Sequence, residues 1–164
     1  MAKPTPTNKP GDKSAAAAAR AGNRSARRRA RELALQGLYE WLVGGHDTAE
    51  IEGHLMEREG FDRADAEHFR AVFHGAIEDV AALRGDIARY IDREVKDLSP
   101  VEHAILLIGA YELKHRMEIP YRVVINEAVE LAKGFGGTEG FKYVNGVLDK
   151  LAGQLRPQET PGSP

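Results

Sequence analysis

No cysteine occurs in the 164 residues, which removes disulfides, thiolate zinc sites, iron–sulfur clusters and cysteine nucleophiles from consideration. No apolar run approaches the roughly 20 residues needed to span a bilayer. The opening stretch, MAKPTPTNKPGDKSAAAAAR, carries cations, but its only apolar run is Ala15 to Ala19. That run is too short and too weakly apolar for a secretory signal, so the expected compartment is the cytoplasm and no membrane is expected among the partners. There is no Walker-A loop and no GxGxxG; the glycine-rich GFGGTEG follows a helical pattern rather than a strand and reads as a helix end and turn. Among the six histidines (His46, His54, His68, His74, His103, His115) no two are three or four apart, so no helical metal pair is formed. The many carboxylates read as caps and solvated faces. No cofactor, no metal and no enzymatic activity are expected.

What is present is an ordinary globular balance, 29% charged and 42% hydrophobic, enough for one domain with tails. The formal net charge of −2 conceals an asymmetry. Residues 1–31 hold nine Lys/Arg and one acid, Asp12, giving +8, and the other 133 residues carry −10. A basic arm on an acidic body points to a polyanionic partner for the arm.

The apolar spacing is helical throughout. Residues 1–22, rich in Pro, Thr, Lys, Gly and Ala, bring nothing to a core and are expected to form a disordered basic tail. A helix is expected from about Asn23, with Leu35, Leu38 and Leu42 on its inner face and Gly44-Gly45 ending it. Asp47 with Glu50 reads as a capping box for a second helix, and Asp62 as the cap of a third that carries Phe69, Val72, Phe73, Ala76, Ile77, Val80 and Leu83 until Gly85 breaks or kinks it. Ser99-Pro100-Val101-Glu102 is the strongest start signal: a Ser cap, Pro at the first helical position, and Glu at the third. The helix it opens, VEHAILLIGAYELKH, is apolar on most faces and should be central. Pro120 restarts the chain, and Thr138 can cap a last helix through Leu151. No stretch alternates as a strand does. The expected fold is all-α with about six or seven helices, a domain over 23–156 and a flexible tail over 157–164.

Arg24, Arg27, Arg28 and Arg31 fall at i, i+3, i+4 and i+7, one face of a helix. That face turns from arginine to leucine along its length, so the arginine part is expected to project past the core edge. Guanidiniums in a row suit phosphates and bases; the alternative is a solvated helix start. The turn Gly134 to Tyr143 gathers Phe135, Phe141 and Tyr143 around Lys142, a combination suited to stacking on single-stranded RNA, or to filling a helix–helix junction.

Two segments carry a family resemblance. RRRARELALQGLYEW (Arg27 to Trp41) resembles the start of the NusB family of bacterial antitermination factors, and IPYRVVINEAVELAKGFGGTEGFKYVNGVLDKL (Ile119 to Leu151) is similar to its C-terminal signature. VEHAILLIGAYEL (Val101 to Leu113) fits the central helix between them. The resemblance implies two packed helical bundles and a non-catalytic factor. It implies binding to boxA RNA of ribosomal RNA leader transcripts as a heterodimer with NusE, a small-subunit ribosomal protein, within an RNA polymerase antitermination complex. By motif position, Arg27, Arg28, Arg29 and Arg31, beside Arg24, would contact RNA; Phe135, Glu139, Lys142 and Tyr143 would complete that surface, Glu139 tuning affinity by repulsion. Tyr39 and Glu102 would face NusE. The acidic body suits a basic partner; a homodimer of the free chain stays open. Ribosomal RNA cytosine methyltransferases share such a helical domain but need a cysteine and a cofactor domain, so for this chain they reduce to a stand-alone RNA-binding domain. A purely protein-binding adaptor is the other alternative.

Overall fold

The computed structural model describes residues 10–137 and 139–161, and every regular element among them is helical. Seven α-helices follow in order: α1 Pro10–Gly44, α2 Thr48–Met56, α3 Ala66–Glu78, α4 Val80–Ala88, α5 Pro100–His115, α6 Tyr121–Phe135 and α7 Gly140–Leu155. The first three make one bundle and the last four a second. They share α5, which packs against α1, α3, α4, α6 and α7. Its run from His103 to Ala110 is buried without interruption, as the near-continuous apolar pattern demands of a helix enclosed on all sides.

Local chemistry explains the boundaries. Ser99 accepts a hydrogen bond from the Glu102 amide (3.2 Å) with Pro100 at the first turn of α5. α1 ends at Gly44, and Gly45 turns the chain with φ +61, a conformation that costs glycine little. α5 and α7 approach so closely at Gly109 that an added Cβ would lie 2.6 Å from the Leu148 side chain.

Several boundaries differ from the sequence expectation. α1 begins at Pro10, not Asn23, so residues 10–22 are helical rather than a disordered tail; five consecutive alanines have the highest helical propensity available. The side chains of Lys13–Ser25 are all exposed, so this length of helix stands off the body. α3 is capped by Asp65, whose carboxylate accepts from the His68 amide (3.0 Å), and not by Asp62, which lies in a 3₁₀ turn opened by Gly60. Asp47 precedes α2 but makes no side-chain cap bond. The break between α3 and α4 falls at Asp79, whose carboxylate is taken by Lys114 (3.0 Å) and His115 (2.8 Å) of α5, while Gly85 sits inside α4. The expected cap Thr138 lies outside the described residues.

The chain from 157 is also not a loose tail as far as it is described. Arg156 is fully buried and donates to the carbonyls of Glu112, Leu113, Arg116 and Ile119, at 2.7–3.1 Å, while pairing with Glu159 at 2.6 Å. Glu159 in turn accepts from the Tyr121 amide (3.1 Å), which fastens the turn after α7 to the start of α6.

Candidate nucleic-acid interface

The arginines of α1 do not share one environment. Arg24 is exposed and has no ion-pair partner among the described residues. Arg27 donates to Asp65 (3.2 Å), the residue that caps α3. Burial raises the Asp65 pKa, but the His68 amide and Arg27 outweigh it and hold the carboxyl below its ordinary value. Arg28 makes two 3.0 Å bonds to Glu127 of α6 and remains 53% exposed, enough to reach a second anion. The Glu127 bonds hold its guanidinium more firmly charged.

Arg31 corrects the expectation of a fully projecting stripe. It is 3% exposed and forks onto Glu112 of α5 at 2.7 and 2.8 Å, and His68 of α3 meets the same carboxylate at 3.2 Å. Burial drives the Glu112 pKa up, but the bonds from His68 and Arg31 reverse this and keep it ionised below the usual carboxylate range. Arg31 therefore joins the two bundles from inside and is withdrawn from any RNA surface. The sequence reading missed this cluster because its members are 81 and 44 residues apart; no local pattern announces it.

Arg29 points the other way, into a groove of about 520 Å³. The groove also takes Tyr39 from α1, Phe135 from the end of α6, Val101 from the start of α5, and Arg58, Phe61 and Arg63 from the α2–α3 connection. Tyr39 is 40% and Phe135 55% exposed. Three residues singled out in the sequence, one for each of three different reasons, thus line one concave surface, where arginines and aromatic rings alternate with Glu32 and Glu59. Arg58 and Arg63 were not anticipated. The signal was there, two arginines flanking the Gly60 turn, but a turn composition alone does not show what lies opposite it.

The remaining candidates form a second patch beside the α6–α7 turn. Lys142 pairs with Glu139 (3.0 Å), and both are exposed. Lys133 and Lys142 stand 5.2 and 5.9 Å from the centre of the Phe141 ring. The Tyr143 hydroxyl donates to Asp92 (3.1 Å), while Arg93 lies over its ring at 4.5 Å. Partial burial, then the Asp92 bond, raises the Tyr143 pKa, so the ring stays neutral and able to stack. One face of that ring is already covered by Arg93, a residue the sequence reading did not single out. Glu102 lies close by: a Cβ on Gly140 would meet its carboxylate at 3.1 Å.

Among the described residues no three His, Asp or Glu side chains converge as a metal-binding group, and no helix is long and apolar enough to cross a membrane. Fold and surface together define a class: an all-helical protein of two bundles sharing α5, with arginines and aromatic rings gathered in one surface groove.

Comparison with known proteins narrows the class. The NusB family model matches residues 28–153. The transcription antitermination protein NusB of Ralstonia nicotianae is 62% identical over 136 residues, covering 83% of this chain and 88% of that one. The NusB of Bordetella pertussis is 57% identical over 150 residues, covering 89% and 97%. Among solved structures, NusB of T. maritima superposes with a TM-score of 0.73 at 31% identity, covering 81% of this chain and 94% of that one. The fold recurs, with a TM-score of 0.72 at 24% identity and 77% and 96% coverage, in a crystal structure of the antitermination factors NusB and NusE with double-stranded RNA. This chain belongs to the NusB family.

Proposed function

We propose that this chain is a transcription antitermination factor that binds boxA RNA together with NusE and brings it to RNA polymerase, with no chemistry of its own. The observation that carries the reading is the groove in which Arg29, Arg58 and Arg63, interleaved with Glu32 and Glu59, meet the exposed ring of Phe135. Arginines there supply phosphate contacts and planar stacking, and the exposed ring supplies base stacking, the two ingredients of single-stranded RNA recognition. The name shared by its relatives and the NusB–NusE assembly of the same fold support it. In this reading Arg24, Arg27, Arg28 and Arg29 touch RNA, the Lys142–Tyr143 patch extends that surface, and Tyr39 and Glu102 serve the protein partner, whose expected basic character suits an acidic body.

The test is fluorescence anisotropy with labelled boxA RNA and a scrambled control, with and without NusE, at two salt concentrations. Selective binding that NusE strengthens and salt weakens is expected. Equal binding of boxA and scrambled RNA with NusE present would overturn the boxA reading, and no RNA affinity at all would leave a protein-binding helical adaptor.

A further inference from the structure

The part of α1 ahead of Arg24 is not used by the reading above. It stands ahead of residue 28, where the family match begins. Between Lys13 and Arg31 there are seven cations and no acid. Lys13, Arg20 and Arg24 fall at i, i+7 and i+11, so at about 100° per residue they lie within about 40° of one azimuth. That azimuth is also Arg31's, the face which from Ala30 onward is buried against the body. Ahead of Ala30 the same face has no body beneath it: every side chain from Lys13 to Ser25 is exposed, and none of the three cations is ion-paired among the described residues. The residues between them are mostly alanine and glycine, so nothing bulky screens the charges.

We infer that this length of α1 is a cationic rail for RNA flanking the sequence held in the groove, and that it binds phosphates without reading bases. The inference rests on the RNA-binding reading of the groove. A strand leaving the groove at Arg29 crosses α1 by way of the half-exposed Arg28, which lies about 60° round the helix from the rail, and continues along Arg24, Arg20 and Lys13. The last three span about 16 Å of helix axis, the reach of a few nucleotides. Phosphate is the fitting ligand because Lys13 and Arg20 have neither aromatic neighbours for stacking nor a pocket wall for shape selection. Acidic protein is the poorer fit, since a surface of separated single charges on small residues offers no apolar anchor. The rail therefore adds affinity and salt dependence while selectivity stays with the groove.

The test uses the full chain with NusE and two RNAs: a minimal boxA strand, and the same strand with an unstructured flank added at its 5′ or its 3′ end. Wild type is expected to bind one flanked RNA more tightly than the minimal one. K13Q combined with R20Q should abolish that gain, leave minimal-strand binding and the thermal midpoint unchanged, and flatten the salt slope by about 1.4, or about sevenfold in affinity over an about fourfold rise in salt. Ala17→Pro keeps every charge but breaks the helix, and it too should reduce the gain. A wild type that gains nothing from either flank, or a double variant that keeps the gain, overturns the rail while selective binding of the minimal strand leaves the groove reading standing. A full gain with Ala17→Pro also overturns it, because the charges would then act as an unstructured polycation. Loss of selectivity on the minimal strand itself is the distinct failure that removes the groove reading and the rail together.

Discussion

At the scale of single residues, Arg31 and Arg29 show how two steps along a helix separate structure from recognition. Their side chains leave α1 on nearly opposite sides, one toward Glu112 and His68, the other into the groove. Removing one partner of a buried pair leaves an unmatched charge, which costs about 3–5 kcal/mol. Glu112→Ala should therefore lower the thermal midpoint by roughly 10 °C, read by calorimetry. Replacing the pair together, R31M with E112L, should recover most of the loss, since well-packed apolar groups substitute for a buried ion pair at little cost. Arg29→Ala should do the reverse of Glu112→Ala: a stability within about 0.5 kcal/mol of wild type, as expected of a surface change, but weaker RNA binding in the anisotropy assay. A loss of folding in Arg29→Ala would contradict the division of roles.

His103 adds a pH term. Burial, then the charge of Arg84, lowers its pKa from 6.5 to about 4, and Arg84 donates to its Nε2 at 3.2 Å. The folded state therefore holds the neutral ring. In the unfolded chain the ring takes a proton below about pH 6.5, so this contribution is fully present above that value and is lost as pH falls toward 4. Thermal midpoints should decline across that window, and His103→Gln should decline less.

At the scale of elements, most of the fold was legible because helices write themselves locally. The apolar spacing of α3, α6 and α7 and the Ser99-Pro100-Glu102 start of α5 are short-range signals, and the structure honours them. Ser99→Ala should cost about 1 kcal/mol, read as a shift in the denaturant midpoint. The misplacements share one cause: each turned on a contact remote in sequence. Asp65 outranks Asp62 as a cap because Arg27 of α1 holds it as well. The α3–α4 break sits at Asp79 because α5 supplies Lys114 and His115, whereas Gly85, which looked like the breaker, has open space around it inside α4. The candidate site divides in the same way. Arg29, Tyr39 and Phe135 could be named from motif and composition, but their convergence, and the presence of Arg58 and Arg63 beside them, exists only once α1, α5 and α6 are packed.

At the scale of the whole molecule, charge is sorted along the chain, and so, because α1 extends beyond the body, it is sorted in space. Residues 1–31 carry +8, with every side chain from Lys13 to Ser25 exposed, while the other 133 residues carry the net negative charge. Two partners of opposite sign can then approach different parts of one small protein without competing, and long-range attraction speeds both encounters at low salt.

Arg156 has a consequence for how the molecule is made. Its guanidinium supplies donors for four carbonyls at the end of α5 and the loop that leads to α6, and it follows the end of α5 by some forty residues. While the chain emerges from the ribosome, α5, the helix at the centre of both bundles, is complete long before the group that closes its far end appears. Until Arg156 emerges, those carbonyls lack its donors, and the end of α5 is held only by its own backbone bonds and by water. A chain stopped at Leu155 is expected to reach the helical state but to unfold markedly faster than the full-length protein in denaturant-jump kinetics, because the last latch to close is also the one that keeps it shut.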